Sequence, residues 1–381
     1  SGNEHSDDTR KYDRKIRFIK NFELLTTERI VCGEVNHGDY QLLLIEGESY
    51  LGRRRREIAQ DLYSFLESHS ITFWVNESNN SVQSIGVDYI LIDEIAKNFD
   101  IILNVIPNSS GRVGPTIVGV PFKSYGFKVE VPDESDPIIG IIDTGIDSQT
   151  PLKNLIINSN SGDIYDLVGT NATVDEFNNS IGHGTGVAGI AAFGSKLYPS
   201  ATGSIKADAW LLSIKTIGRN SQRVPDFKIS QAIRDANQIG VRIFVLTISE
   251  GAHKEINEPV SPLAYELDRL ASELDILICI SSGNAVRDYQ DASVYPKHFE
   301  DEANNIHSPA ESMNHISIGA LAGNLEIFKN GAIGIADDEN FPAIYSSKCN
   351  FDFDAAGISR NRTNKHFGKP DLLYYGGDFD Q

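Results

Sequence analysis

The sequence has few cysteines, no long apolar run and no excess of positive charge. Cys32, Cys279 and Cys349 are widely separated, and no CxxC pair is present. This spacing indicates neither a disulfide framework nor a zinc site. No apolar run approaches the roughly 18 residues that a membrane helix needs, so we expect no membrane partner. The 32 glycines follow no fixed period, which excludes a collagen-like chain.

The amino-terminal stretch lacks the apolar core of a secretory signal peptide. It reads SGNEHSDDTRKYDRK and is polar throughout. Together with the scattered thiols, this composition favours a reducing environment. We therefore expect a cytoplasmic protein.

Acidic residues outnumber basic ones by 53 to 34, which gives a net charge of −19. Most of this excess lies in residues 131–381, which hold 34 acidic and 19 basic residues. Such a surface repels a phosphate backbone, so nucleic acid is an unfavourable partner. The run Arg53–Arg56 is either a solvated helix face or a docking patch for an acidic surface or nucleic acid.

The length of 381 residues fits two or three domains. Segments rich in Pro, Gly, Ser and acid at 107–115 and 131–137 indicate linkers, so we place a domain boundary within 107–136. We predict a small α+β domain over 1–115, a linker over 116–136 and a second domain over 137–381.

The first domain mixes strand and helix patterns. Ile58, Leu62 and Phe65 share one helical face, which predicts a helix over Arg53–Ser68. The other predicted elements are a helix at Tyr89–Phe99 and strands at Ile30–Val35, Gln41–Ile45, Ile71–Val75 and Ile101–Ile106.

The second domain alternates short apolar strands with helices, which predicts an α/β fold with a parallel sheet and helices on both faces. The predicted strands are Ile138–Ile142, Trp210–Thr216, Ile243–Ile248, Ile276–Ser281 and Ile316–Ala320, and the predicted helices are Gly184–Phe193, Ile229–Ile239 and Pro262–Glu273. In such sheets a functional site lies beyond the carboxyl ends of the strands.

Three of these segments carry polar groups suited to amide hydrolysis. Asp143 ends a strand in IIGIIDTGID, His183 opens a helix in GHGTGVAGIAA, and Asn284 follows a strand in ICISSGNAV. A histidine can take a proton from a nucleophile near neutral pH, and a buried carboxylate can orient it. An asparagine amide can stabilise the developing oxyanion. Taken singly, each motif also fits a turn or a glycine-rich helix start.

In this order, the three motifs resemble those of the subtilisin-like serine proteases (subtilases), over residues 138–377. The resemblance implies a subtilisin-like fold, a polypeptide substrate, catalysis by Asp143 and His183, and an oxyanion hole at Asn284. It also implies substrate contacts along TISEG and the SG turn before the asparagine. The residues concerned are Thr247, Ile248, Ser249, Gly251, Ser282 and Gly283.

The family's nucleophile lies in a GTSxAxP-type motif after a KPD landmark. Here KPDLLYYGG occupies 369–377, and residues 1–381 contain no GTS. Ser346, Ser347 and Ser359 precede the landmark and are poor candidates. We therefore expect an endopeptidase whose catalytic serine lies beyond residue 381, and we expect residues 1–381 alone to be inactive.

Three explanations for the missing motif stay open: a shortened chain, a processed chain or a natural fragment. The intact Asp143, His183 and Asn284 favour the first two. The alternative function is a catalytically inactive scaffold that binds extended peptides or a partner protein.

A finer resemblance concerns residues 261–284, 308–323 and 368–377. These segments are similar to bacterial cytosolic subtilases encoded beside an AAA-type ATPase, which implies such an ATPase as a partner. Domain 1–115 would then be either a propeptide or a regulatory module. We expect no cofactor: the acidic loops Asp133–Asp136 and Asp337–Glu339 could supply oxygens to calcium, but neither has the spacing of a calcium loop.

Overall fold

A computed structural model of the chain describes residues 30–31, 38–45, 52–76, 81–107, 111–112, 127–158, 164–175, 182–197, 203–218, 224–250, 253–255, 258, 260–284, 295–301, 304–323, 335–336, 340–349 and 368–376. The chain divides into two compact units, Ser1–Asn108 and Ser109–Gln381. This division falls inside the interval 107–136, and residues 111–112 belong to the second unit.

The first unit contains a four-stranded antiparallel sheet and two helices. In chain order these are β1 (Gly38–Leu44), α1 (Gly52–Ser68), β2 (Thr72–Asn76), β3 (Ser81–Val87), α2 (Tyr89–Asn98) and β4 (Ile102–Pro107). The strand order is β2-β3-β1-β4. Leu62 of α1 and Ile92 of α2 are fully buried in one core with Leu42 and Val105 of the sheet.

Strand β3 has no counterpart among the predicted elements. Its sequence SVQSIGV buries Ser81, Gln83 and Ser84 where apolar residues would be expected. The two serines bond to the neighbouring strand: Gln41 Nε2 donates to Ser81 Oγ at 3.3 Å, and Ser84 Oγ donates to the Tyr40 carbonyl at 3.3 Å.

The predicted strand Ile30–Val35 is described only at its first two residues. Ile30 is helical and Val31 forms a parallel bridge with Val105 of β4. The rest of that segment lies outside the described residues.

The second unit is built around six parallel strands. Its main elements are β5 (Gly111–Arg112), β6 (Phe127–Glu130), β7 (Ile138–Asp143), α3 (His183–Phe193), β8 (Gly203–Lys206), β9 (Trp210–Lys215), α4 (Asp226–Gln238), β10 (Ile243–Leu246), β11 (Ser249–Glu250), α5 (Pro262–Leu274), β12 (Leu277–Ser281), β13 (Ile316–Leu321) and β14 (Leu372–Tyr375), with short 3-10 turns at Pro151–Leu155, Gly194–Leu197 and Lys297–Glu300. The order in the large sheet is β14-β13-β12-β10-β7-β9.

Helices cover both faces of this sheet, as the alternating pattern predicts. On one face, Ile142 of β7 and Phe244 of β10 pack with residues of α4 and α5. On the other face, Ile141 packs with Ala188 and Ala192 of α3. Adjacent residues of β7 thus point into different cores, which explains why its sequence is continuously apolar.

Two short strand pairs accompany the large sheet. β6 pairs with β8 in parallel, and β5 pairs with β11 antiparallel, with Arg112 opposite Ser249 and Gly111 opposite Glu250.

Across the described ranges, no helix has both the length and the apolar character needed to cross a bilayer.

Candidate active site

The sheet places Asp143 and His183 side by side. Asp143 is the last residue of β7 and is fully buried, while His183 is the first residue of α3. The His183 Nδ1 atom lies 2.9 Å and 3.0 Å from the two carboxylate oxygens of Asp143. A carboxylate can only accept, so Nδ1 carries a proton and the neutral ring leaves Nε2 free to accept one.

Three other donors hold the Asp143 carboxylate and backbone. The Thr144 amide donates to Oδ1 at 2.6 Å, and the Thr247 hydroxyl donates to Oδ2. The Thr216 amide donates to the Asp143 carbonyl at 2.9 Å. The carboxylate is therefore fixed from several directions before any substrate binds.

Asp143 and His183 shift each other's pKa values in opposite directions. Burial disfavours the imidazolium, but the charge of Asp143 and its hydrogen bond outweigh burial and raise the pKa of His183. Burial favours the neutral acid, but the interaction with His183 and the bonds from two threonines lower the pKa of Asp143. The pair therefore stabilises a histidine that gains a proton.

Asp175 is a second buried carboxylate beside the pair, and motif analysis missed it. Its Oδ1 accepts from the Thr144 hydroxyl at 2.6 Å, and its Oδ2 accepts from the Thr185 amide at 2.7 Å. These partners lie 31 and 10 residues away in sequence. The only sequence signal is an acidic residue shortly before the histidine.

Two glycines allow the loop after β7 to touch the start of α3. A Cβ on Gly184 would overlap the carbonyl oxygen of Gly145, and Gly145 itself has φ +108°. Any larger residue at 184 would push His183 away from Asp143, so close approach of the two backbones requires glycine there.

Asn284 follows β12 at the same end of the sheet. Its backbone bridges to Ser346, and its carbonyl lies 2.9 Å from Nε2 of His307. The His307 ring packs directly on Gly283, which has φ +96° and no room for a Cβ. The turn before Asn284 is thus held by a buried histidine that sequence analysis did not identify.

The residues predicted to contact substrate fall in different environments. Thr247 bonds to Asp143, and the Ile248 side chain is buried in the core below the sheet. Ser249 lies on β11, opposite Arg112.

Ser282 is buried beside Gly283, and its amide donates to the Ile318 carbonyl at 2.9 Å. Gly251 lies outside the described residues.

A cavity of about 450 Å³ opens beside Asn284. Val187, Ile190 and Ala191 of α3 line it from one side, and Tyr374 and Tyr375 of β14 line it from another. Ile190 is 67% exposed and Tyr374 is 68% exposed. The helix that begins at His183 is thus apolar on two faces, one against the sheet and one against this cavity.

Of the three serines that sequence analysis excluded as nucleophiles, the two that the structure describes do not bond to His183. Ser346 is buried, lines the cavity, and its Oγ accepts from the Ala320 amide at 3.0 Å; Ser347 is buried beside it. Ser359 lies outside the described residues. Within the part of the chain that the structure describes, His183 bonds only to Asp143 through its ring, and no serine hydroxyl bonds to it.

The described residues contain no cluster of three or more His, Cys, Asp or Glu side chains arranged to hold a metal. In the acidic loop Asp133–Asp136, Lys206 Nζ lies 2.5 Å from Asp133 and 3.9 Å from Asp136. These two acidic side chains thus interact with a lysine. The loop Asp337–Glu339 lies outside the described residues.

Comparison with known families identifies the class of protein. A sequence model of the subtilase family matches residues 134–380. The chain belongs to the subtilase family of serine proteases. A curated relative, the uncharacterized protein y4bN of Sinorhizobium fredii, is 31% identical over 101 residues. That match spans 25% of this chain and only 23% of the relative's length.

Two solved structures are among those similar to this chain. An epidermin leader peptide processing serine protease from Staphylococcus aureus is 15% identical with a TM-score of 0.47, over 87% of this chain and 82% of that one. Fervidolysin from Fervidobacterium pennivorans, a keratinolytic enzyme related to subtilisin, is 16% identical with a TM-score of 0.45, over 76% of this chain and 44% of that one.

Proposed function

We propose that this protein is a serine endopeptidase that cleaves polypeptides through an Asp-His-Ser triad. The observation that carries the proposal is the buried Asp143–His183 pair with Nδ1 on the carboxylate. This geometry leaves Nε2 to take the proton of a serine hydroxyl and later to give it to the leaving amine. Asn284, on the neighbouring turn, would donate its amide to the oxyanion.

The proposed serine belongs to a segment outside residues 1–381. The cavity beside Asn284 supports this reading because it is apolar, open, and bordered by the helix that carries His183. A helix that brought a serine to Nε2 would cover Ile190 and Tyr374, two large side chains that are now exposed. Burying such apolar surface contributes about 25 cal/mol per Å².

Casein hydrolysis tests this proposal. We expect residues 1–381 to leave casein intact and a chain extended by the natural continuation of the gene to cleave it. His183→Ala should abolish cleavage by the extended chain, whereas His315→Ala, a buried histidine that contacts the Leu267 carbonyl elsewhere in the fold, should not. Cleavage by residues 1–381 that depends on His183 would mean that another nucleophile exists.

For the first domain, residues 1–115, the propeptide and the permanent regulatory module both stay predictions. Gly111–Arg112, which belong to the second unit, pair antiparallel with Ser249–Glu250. β11 begins two residues after Thr247, whose hydroxyl contacts Asp143. A strand on this edge occupies the position that an extended substrate would need.

The same contact favours the second candidate function, a scaffold that binds extended peptides without cutting them. β11 accepts an added strand through its backbone, and strand addition needs no nucleophile. The two functions separate on the extended chain: a protease cleaves casein, whereas a scaffold binds unfolded casein and leaves it intact. Association with an AAA-type ATPase stays a prediction, as does docking through Arg53–Arg56.

A further inference from the structure

Asp175 joins the two segments that carry the Asp143–His183 pair. One of its oxygens accepts from Thr144, the residue after Asp143, and the other accepts from the amide of Thr185, in the first turn of α3. The Asp175 side chain is buried, so these bonds form away from bulk water.

The hydrogen-bond pattern shows which form of Asp175 the site requires. The Thr144 hydroxyl accepts from the Gly184 amide at 3.1 Å and donates its single proton to Asp175 Oδ1 at 2.6 Å. The second Asp175 oxygen accepts from an amide. Both oxygens are therefore acceptors, which is the pattern of an ionised carboxylate. Burial raises the pKa of Asp175 above its ordinary value, and the bonds from Thr144 and Thr185 oppose this effect and support the anion.

A further contact ties the same segments together. The Thr185 hydroxyl accepts from the amide of Asp147 at 2.9 Å. The loop 144–147 and the helix start 184–185 are thus joined by two direct bonds and by two bonds that meet on the Asp175 carboxylate. If that carboxylate is lost, the two segments lose two of these four bonds.

We propose that Asp175 is a positioning residue: as an anion it locks the loop after Asp143 to the first turn of α3 and places a second negative charge beside His183. This inference rests on the proposed role of the Asp143–His183 pair. Asp175 does not touch the reacting atoms and acts through Thr144 and Thr185.

The charged groups around His183 come from three elements. Asp143 lies on β7, Asp175 on the loop before α3, and Lys215 on β9 next to Asp143 in the sheet register. Lys215 Nζ donates to the Val174 carbonyl at 2.7 Å. Burial of His183 disfavours the imidazolium, but the charges of both aspartates oppose this effect and raise the pKa of His183.

Replacement of Asp175 by asparagine tests the proposal without a protease assay. Asp175→Asn keeps the shape of the side chain but removes its negative charge. The NH₂ group that replaces one carboxylate oxygen cannot accept from the Thr185 amide. We expect the pKa of His183, followed by NMR of its carbon-bound ring protons in the full chain, to fall. A folded variant in which the pKa of His183 equals that of the wild type would overturn the proposal.

Asp268→Asn is the matched control. Asp268 also accepts several bonds, including those from the Ser312 hydroxyl at 2.6 Å and the Asn314 amide at 2.7 Å, but it lies beside His315. Burial lowers the pKa of His315 and the charge of Asp268 partly offsets this, so the variant should lower the pKa of His315 further and leave that of His183 unchanged. A shift at His183 in both variants would show a general loss of structure and defeat the proposal.

A second pair of variants applies if Asp175→Asn does not fold. Thr144→Val removes the hydroxyl that stabilises the Asp175 anion, so the pKa of Asp175 should rise; Thr144→Ser restores the donor and should reverse the change. Equal values of the Asp175 pKa in the two variants would contradict the inference. Failure of proteolysis would defeat the proposed function and leave these titrations unaffected.

Discussion

The position and tautomer of His183 are set by neighbouring residues more than by its own sequence motif. Asp143 fixes its tautomer, Asp175 holds the surrounding loop, and Gly184 lets the helix approach that loop. The sequence motifs predict Asp143 and His183 as site residues because both lie at strand or helix ends in a parallel α/β pattern. They do not predict Asp175, because its role arises from contacts between segments distant in sequence.

The close approach at Gly184 gives a direct mutational test. Gly184→Ala should lower the free energy of unfolding by about 1–3 kcal/mol and displace His183, since the new methyl group meets the Gly145 carbonyl. Gly186→Ala, in the same helix, meets no atom and should stabilise the chain by about 0.5–1 kcal/mol. Urea denaturation measures both changes, and equal effects would show that the contact at Gly184 is unimportant.

Sequence analysis predicts the helices and strands that have a clear apolar pattern. α3, β7, β10 and β12 lie close to their expected bounds because each buries continuous apolar surface. β14 was not predicted as a strand, since all four of its residues are exposed. An edge strand without a buried face leaves no periodic signal in the sequence.

The second apolar face of α3 can be tested with one substitution. Ile190→Asp should change the stability of residues 1–381 by less than about 0.5 kcal/mol, because Ile190 is exposed there. In the extended chain it should abolish casein cleavage, because a charge would then be buried against the proposed serine segment.

Ala188 provides the contrasting position on the same helix. It is fully buried against the sheet, so Ala188→Asp should unfold residues 1–381. Full activity of the extended chain with Asp at 190 would show that the cavity does not receive that segment.

Pairing of β5 with β11 predicts that residues 111–112 compete with extended peptides for β11. Gly111→Pro combined with Arg112→Pro removes two backbone donors from the added strand. A fluorescent extended peptide should then bind the full chain more tightly, as fluorescence anisotropy would show. Lys128→Pro disrupts the β6–β8 pair instead and should leave binding unchanged. Equal affinity of all three proteins would argue against an inhibitory strand.

The molecule as a whole is acidic, and its second unit also contains a buried ion pair. Lys254 Nζ lies 3.2 Å from Glu311 Oε1, which also accepts from the Ser261 amide and the Ser308 hydroxyl, each at 2.9 Å. Burial favours the neutral acid, but the charge of Lys254 and the Ser261 donor outweigh it and lower the pKa of Glu311.

The lowered pKa of Glu311 makes stability depend on pH in a defined direction. Its contribution is present above the unfolded glutamate pKa and is lost as the pH falls through the folded value. Glu311→Gln should cost near the lower end of about 3–5 kcal/mol near pH 7, because buried Lys254 then keeps only the partly exposed Glu258, at 3.4 Å, as a partner charge. In urea titrations the variant should also lose less stability on acidification than the wild type.

An exposed ion pair in the same unit serves as the control. Lys196 and Asp208 lie 2.5 Å apart with both side chains largely in solvent. Asp208→Asn should therefore change the free energy of unfolding by less than about 1 kcal/mol. A comparable loss in both variants would show that burial of Glu311 has no special effect.

Labelling with a fluorophosphonate probe, followed by peptide mapping, tests the proposed triad most directly. The extended chain should be labelled at one serine outside residues 1–381, and His183→Ala should suppress that labelling. Residues 1–381 alone should take up no label. Labelling of Ser346, Ser347 or Ser359, or a full reaction in His183→Ala, would contradict a triad built on the Asp143–His183 pair.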